Sequence, residues 1–522
     1  MYLPEERLAG VGIFAPPPGT GLLGTLLPRS LAPIRTTPPA LGTAPAGRSR
    51  GKPNGLHFFR KTDVEIRLWY LAILWLGCCA IGLSITSPSR AAFSYYLSLA
   101  WSIYFPVAAV GFVGAVLARG KRGPRWQRST CEESVHEQVI ILVPTLAHSA
   151  NLPALKRVLT SICDLVWRNL SNYRIDVVID EGDDDVCATV QALKDWLGGT
   201  ELVQLLVVPG DYQTPRGARY KTRANHYALE HRRARRENTS STYVYHLDDD
   251  TSMGVDTVAS IAEFIAGNRN GEHLLAQGVL AFPNELSPSW LSNMADSIRP
   301  ADDLTRFNLF TETFGVPLGG LHGEHLLVRA DIEDDIGWDY PDTVIEDALF
   351  ALHFANRYPG RSTTLNSFSY GASPATITDL VKQRRRWSEG LLKLIFRRDI
   401  PLLSRLPLIY CVLAWVSSPF QFVGLLLPLS FILDRNGASP VHSWVIVLWS
   451  FNLAFLLWSY ALGYRINNVA SARPRSPWCS LALPVTMFVL SGIESYAVLL
   501  GLLRALHIVK GQQASEVIYK PC

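Results

Sequence analysis

Tyr243-Val-Tyr-His-Leu-Asp248-Asp249-Asp250-Thr251 sets the reading of the chain. Its first five residues are strand formers, and three carboxylates follow at once, so an apolar strand delivers an acidic turn at its carboxyl end. The pattern occurs upstream as well. Ile175-Asp-Val-Val-Ile179 runs into Asp180-Glu181-Gly182-Asp183-Asp184-Asp185, Val139-Ile-Ile-Leu-Val143 stops at Pro144, and Leu202–Val208 is a further apolar run. Helical patterns separate them: Asn151 and Pro153 open one that reaches Leu165, and another spans Tyr220–Arg235. Strand–helix alternation predicts a doubly wound α/β sheet with ligands at the carboxyl ends of its strands, where the acidic clusters fall. No GxGxxG or Walker sequence occurs, so hydride transfer and P-loop hydrolysis have no support.

Around this region the composition changes. The 522 residues are 48% hydrophobic and 18% charged, with mean hydropathy +0.13. That is too apolar for an ordinary soluble chain, where about 25% charged is usual, and too charged for membrane spans alone. Charge-free windows cover Leu68–Ser89, Ala91–Ala118, Leu406–Leu433, Gly437–Tyr464 and Ser476–Ile493, the last continuing past Glu494 through Ser495–Leu503. Windows of about 20 apolar residues are long enough to cross a bilayer as helices. Arg60, Lys61 and Arg67 precede the first pair, and Arg119, Lys121, Arg122, Arg125 and Arg128 follow it, which places both flanks in the cytoplasm. Glu494 either lines a cavity, marks a broken or re-entrant segment, or packs against a neighbouring span.

The expected organisation is a Pro-rich disordered tail at 1–55 with ten prolines, two membrane helices within 56–118, and a cytosolic catalytic domain at 119–373. An interfacial amphipathic helix at 374–405, about three membrane or re-entrant helices at 406–505 and a tail at 506–522 complete it. The eight cysteines form no CxxC pair, so neither a disulfide framework nor a zinc site is expected. A net charge of +4 argues against a dedicated nucleic-acid binder. Arginine outnumbers lysine 39 to 10, as a GC-rich genome would give, and the expected location is a bacterial plasma membrane.

Four polar groupings carry the chemistry. Asp180, ending a strand, is placed to accept hydrogen bonds from a nucleotide or to be a solvated loop acid. Asp248, Asp249 and Asp250 repel one another unless a cation intervenes, and Mg²⁺ or Mn²⁺ is the hard ion that suits them; an exposed acidic turn is the plain alternative. Glu346 and Asp347 open a helix, either to complement its dipole or to provide a general base. Gln383-Arg384-Arg385-Arg386-Trp387 lies in a basic amphipathic stretch, Leu380–Arg398, with Leu380, Trp387, Leu391 and Leu394 on one face. That stretch suits headgroup contact, or sends Arg386 to a phosphate and Trp387 to a sugar face. Lys221 and Arg223 are either positive charge set against a diphosphate or plain surface charge on a helix.

Taken in order, Asp, Lys, Asp-x-Asp, Glu-Asp and Gln-x-x-Arg-Trp before a membrane span resemble the membrane-embedded family 2 glycosyltransferases, which include cellulose, chitin and hyaluronan synthases and egghead-type β-1,4-mannosyltransferases. The resemblance covers about residues 135–400. It implies an α/β GT-A (Rossmann-like) catalytic domain inserted between transmembrane helices. It implies that Asp180 contacts the base, Lys221 the diphosphate, and Asp248 and Asp250 the metal, Asp248 also belonging to the donor site. Asp347, with Glu346 beside it, becomes the catalytic base. Gln383, Arg386 and Trp387 close the donor and acceptor site, and His322, Glu324 and His325 in Gly319-Gly-Leu-His-Gly-Glu-His325 stand where the family positions its acceptor. Three departures are present: Ile345 replaces the Thr of Thr-Glu-Asp, Asp180-Glu-Gly-Asp183 replaces Asp-Asp-Gly-Ser, and His322-Gly-Glu-His325 replaces Gly-Thr-Gly.

The implied activity is metal-dependent, inverting transfer from a UDP- or GDP-linked sugar to a lipid or glycan hydroxyl at the cytoplasmic membrane face, with membrane lipids as surroundings and no nucleic acid. A processive synthase that exports its polymer is the alternative within the class. A transporter or channel with a cytosolic regulatory domain, resting on Glu494, and a catalytically dead sugar-nucleotide sensor are alternatives outside it.

Overall fold

The computed structural model describes residues 61, 64–85, 102, 104–120, 135–181, 185–200, 202–317, 321–341, 343, 345–416, 418, 419, 422 and 443–506. The tail read at 1–55, nearly all of that at 506–522, Gly182–Asp184 and Gly319–Gly320 lie outside these residues.

Eight strands form one mixed sheet: β1 (Gln138–Leu146), β2 (Tyr173–Asp180), β3 (Val203–Val207), β4 (Thr242–His246), β5 (Ser252–Met253), β6 (Leu275–Ala281), β7 (Leu326–Arg329) and β8 (Ser362–Tyr370). Their order is β3-β2-β1-β4-β7-β6-β8-β5. The first four in that order are parallel, as strand–helix alternation predicts. The doubly wound expectation ends there. β7 runs antiparallel to both β4 and β6, so the sheet is mixed.

Strand residues divide between two cores by their period of two. Ile141, Val143, Val177, Ile179 and Tyr245 face one side, and Leu142, Val178, Val244 and Leu326 face the other. Helices α3 (Leu152–Leu165) and α6 (Val255–Gly267) cover the first side through Leu155, Val158, Val258 and Ile261. Helices α5 (Tyr220–Ala234) and α10 (Glu346–Arg357) cover the second through Ala224, Ala228, Leu349 and Phe350. Pro144 does not end β1, which continues to Leu146. Pro144 stays paired with Val178 of β2. Even-numbered β1 amides point the other way, toward β4, as Gln138 N does to the Ser241 carbonyl. β4 pairs with β1 only as far as Leu142, so the amide that Pro144 lacks has no β4 partner to lose.

The apolar windows are helical where described: α1 (Leu68–Ile85), α2 (Phe105–Gly120), α12 (Leu402–Val416), α13 (Ser443–Ala470) and α14 (Leu483–Ala505). Among the described residues, two helical stretches, Ser443–Ala470 and Trp478–Ala505, are long and apolar enough to cross a membrane. α14 runs unbroken through Glu494, so no helix break falls at that residue. The remaining helices are α4 (Val186–Leu197), α7 (Trp290–Asp296), α8 (Ile298–Asp302), α9 (Ala330–Ile336) and α11 (Ile377–Ile395). α11 packs against α12 and α14. It buries Leu380, Gln383, Arg384 and Leu394, so this basic helix is packed rather than simply laid on a surface.

Candidate active site

Strand direction assembles the acidic groups. Asp248 and Asp250 follow the carboxyl end of β4. Because β7 is antiparallel to β4, with His246 opposite Leu326, the start of β7 lies beside that end and brings Glu324 to it. Asp248, Asp250 and Glu324 each offer a carboxylate oxygen, all within 4.8 Å of one another. A set of three oxygen donors suits Mg²⁺ or Mn²⁺. Glu324, expected on the acceptor side, therefore joins the metal candidates.

The cluster also carries its own charge compensation. Lys221 Nζ, on the first turn of α5, donates to Asp248 and to the Gly323 carbonyl (3.2 Å) and lies 3.6 Å from Glu346. Arg299 Nη2 donates to Glu324 Oε1 at 3.3 Å, and the Thr251 hydroxyl donates to Glu324 Oε2. Burial alone would lower the Lys221 pKa, but Asp248 and Glu346 raise it on balance, so the ammonium stays charged.

Asp347 lies in the first turn of α10, as the apolar flanks of the Glu-Asp pair predict. Its Oδ2 accepts from the Gly323 amide at 3.0 Å and its Oδ1 from the Ala348 amide at 2.8 Å. Desolvation and the neighbouring Glu346 push its carboxyl up to about 6, against the pull of Lys221. A carboxylate that titrates there suits proton transfer near neutral pH.

Asp180 is buried at the end of β2 and is held by Arg223 Nη1 (2.7 Å) and the Glu181 amide (2.7 Å). Arg223 also binds the carbonyls of Pro209 (2.8 Å) and Tyr212 (3.1 Å), so it ties Asp180 to the loop after β3. Burial raises the Asp180 pKa, with the Glu181 amide and Arg223 opposing.

His322 Nε2 pairs with Asp303 Oδ1 at 2.6 Å, and its amide donates to Gln277 Oε1 at 3.0 Å. Burial would lower the His322 pKa, and Asp303 raises it beyond that. His325 does not stand at an acceptor surface. It is 0% exposed, its Nδ1 is 2.7 Å from Tyr245 Oη, and its Nε2 is 3.2 Å from the Ser367 carbonyl. It follows the Glu324 turn with a left-handed backbone, φ +56°, which aims its ring into the sheet.

On α11, Gln383 is buried and its Oε1 has no hydrogen-bond partner among the described residues. Arg386 is exposed. Trp387 is half-buried and its π surface is already engaged: Trp415 stacks on it at 6.0 Å, and the guanidinium carbons of Arg384 and Arg299 lie 4.6 and 5.1 Å from its ring centre. The free sugar-stacking face expected of Trp387 is thus shared with protein groups. Arg299, Asp303 and Thr251 carried no sequence signal, since each becomes part of the site through its position in space. Arg384 was visible inside the Gln-Arg-Arg-Arg-Trp run but not distinguishable from its neighbours.

The sequence profile of "Glycosyl transferase family group 2" matches residues 243–506, just over half of the chain. The chain belongs to this family. The match takes in Asp248, Asp250, Glu324, Asp347 and the α11 motif. The chain is 29% identical over 259 residues to "Beta-1,4-mannosyltransferase egh" of Drosophila melanogaster, covering 48% of this chain and 52% of that protein. It is 27% identical over 255 residues to "Beta-1,4-mannosyltransferase bre-3" of Caenorhabditis elegans, covering 47% and 55%. The chain thus spans about half the length of the curated relatives it matches. Both relatives are animal proteins, and they lend no support to the bacterial origin read from the arginine excess. A solved structure, mannosyltransferase PcManGT from Pyrobaculum calidifontis in complex with GDP-Man and Mn²⁺, is 14% identical with a TM-score of 0.43, covering 80% of this chain and 100% of that one.

Proposed function

We propose that this family 2 chain is an inverting glycosyltransferase of GT-A type. In this reading it moves a mannosyl group from a nucleoside diphosphate to a hydroxyl of a lipid or glycan acceptor, beside a membrane entered by its apolar helices. The observation that carries the reading is Asp347, a carboxyl near pKa 6, held through Gly323 and Lys221 to the Asp248–Asp250–Glu324 cluster. The mannosyl assignment is supported by the printed names of the egh and bre-3 relatives.

Asp347 accepts the proton of the acceptor hydroxyl as that oxygen attacks the anomeric carbon. Asp248, Asp250 and Glu324 hold a divalent ion, which when bound supplies charge neutralisation for a diphosphate. Lys221 supplies fixed positive charge for the leaving diphosphate, and Arg386, exposed on α11, reaches its outer oxygens. Asp180, presented with Arg223 at the end of β2, meets the nucleoside. His322, oriented by Asp303, faces the acceptor. Single displacement inverts the anomeric centre. The transport alternative rested on Glu494, whose Oε1 is bound by Arg384 Nε at 2.8 Å.

The test uses membranes containing the full chain and a panel of UDP- and GDP-linked sugars. Release of nucleoside diphosphate with one donor, abolished in Asp347→Asn while donor binding persists, is expected. Undiminished transfer in that variant refutes the base assignment. Product sizing after a labelled pulse separates single transfer from polymer synthesis.

A further inference from the structure

One continuous line of contacts joins the apolar helix α14 to the carboxylate cluster. Glu494 Oε1 accepts from Arg384 Nε at 2.8 Å, and Asp296 Oδ1, at the end of α7, accepts from Arg384 Nη2 at 2.7 Å. Arg384 is 2% exposed and Asp296 is 0% exposed. The same guanidinium lies over the ring of Trp387, 4.6 Å from its centre. The opposite end of the line is Arg299, whose guanidinium carbon is 5.1 Å from the Trp387 ring centre and 4.6 Å from that of Phe282. Arg299 in turn reaches Glu324 Oε1 at 3.3 Å.

Such a buried ionic group is a poor way to gain stability. Its desolvation cancels most of the attraction, and well-packed apolar side chains of the same size commonly do as well. A carboxylate within an apolar helix is costly and commonly has a functional reason. What two carboxylates do supply is orientation: an arginine gripped by two acids from two different helices has a fixed plane. The backbones leave little slack. A Cβ on Gly501 of α14 would lie 2.1 Å from Ser388 Oγ and 2.9 Å from the Arg385 carbonyl of α11, so these helices touch closely about two turns beyond Glu494 on α14 and one turn beyond Arg384 on α11.

The geometry points to Arg384 as a positioning residue, fixed by Asp296 and Glu494, that sets Trp387 and through it Arg299 against Glu324, so that α14 governs the shape of the carboxylate cluster. Among the described residues the hydrogen bond and ion pair of Glu494 go to Arg384, so Arg384 is the direct link between Glu494 and Trp387. The inference about the cluster rests on the proposed reading of Glu324 as a metal ligand. The inference about Trp387 does not.

The experiment uses the full chain in detergent, labelled with 5-fluorotryptophan, with the Trp387 resonance assigned by its loss in Trp387→Phe. Glu494→Gln is expected to move that resonance and to weaken Mn²⁺ binding, read by electron paramagnetic resonance, by about fivefold, a usual size for coupling through packed side chains. Glu494→Asp, which keeps the charge, is expected to restore both in part. Should Glu494→Gln fail to fold, Arg384→Lys keeps the buried charge but loses the two-armed grip, and is expected to weaken Mn²⁺ binding and shift Trp387 in the same way. An unmoved Trp387 resonance in a folded Glu494→Gln protein overturns the proposal. If the wild-type chain binds no Mn²⁺, the metal reading fails, while the Trp387 resonance still decides whether Glu494 acts through Arg384.

Discussion

The backbone amide of Gly323 donates to Asp347 Oδ2 at 3.0 Å, and its carbonyl accepts from Lys221 Nζ at 3.2 Å. One peptide segment thus spaces the candidate base from the candidate diphosphate cation. A Cβ at Gly323 would lie 2.8 Å from Lys221 Nζ and 3.4 Å from Asp347 Cβ. The lysine is flexible and will swing away, so the fold tolerates the methyl group while the site does not. Gly323→Ala is expected to lower kcat about tenfold, the scale of a small misplacement of reacting groups, with an unchanged melting temperature. Steady-state kinetics beside thermal unfolding in detergent check this.

Asp347 predicts a pH dependence with a definite sign. Burial and Glu346 hold its carboxyl up to about 6, and a base works only when deprotonated. The free-enzyme kcat/KM is therefore expected to be level above neutrality and to fall tenfold per pH unit once pH drops well below about 6. Asp347→Asn is expected to cost about 10²–10⁴ in kcat at pH 7.5, the usual contribution of a general base. A profile that stays level down to pH 5 would contradict the role.

Much of this was legible in the chain itself, for local reasons. The apolar runs gave β1 to β4 and their parallel pairing, and the flanks of Glu346-Asp347 gave a helix that begins there. Asp248, Asp250 and Lys221 could be singled out as candidates because strand ends and helix starts show their residues in sequence. Glu324 was read on the acceptor side, and its place beside Asp250 was not legible, since only the antiparallel direction of β7 brings the two together. His325 was read as an acceptor residue because a short polar loop does not reveal which side chain turns inward. Arg299 and Asp303 enter from α8 and the turn after it, far from any recognisable pattern.

The placement of Glu324 separates two roles. As a metal ligand, Glu324→Gln weakens Mn²⁺ binding and leaves the acceptor KM unchanged; as an acceptor residue it does the reverse. The oxygen set Asp248, Asp250 and Glu324 favours the first, and Asp250→Asn is expected to behave alike. Chelation with EDTA is expected to abolish transfer, and added Mg²⁺ or Mn²⁺ to restore it. Titration of Mn²⁺ against each variant, together with acceptor KM, distinguishes the two.

The last prediction concerns what holds the Glu324 turn in place. His325 Nε2 faces the Ser367 carbonyl, which can only accept, so Nε2 carries the proton and Nδ1 accepts from the Tyr245 hydroxyl. Burial pushes the ring down to about 4, which keeps it neutral and preserves this arrangement. The ring fits because residue 278 of β6 has no side chain: a Cβ there would lie 1.7 Å from His325 Nε2 and 1.9 Å from Cδ2. Neither partner can retreat, since the histidine is fully buried and Gly278 is bonded through its amide to the His325 carbonyl at 2.9 Å. Gly278→Ala is therefore expected to cost about 3 kcal/mol, the upper end for overpacking a core, and to weaken Mn²⁺ binding because Glu324 moves with its neighbour. His325→Gln, which can still hydrogen-bond but is not a ring, should recover part of the stability in the Gly278→Ala background. Denaturation of the single and double variants measures that recovery, and purely additive losses would mean that His325 and Gly278 are not in contact.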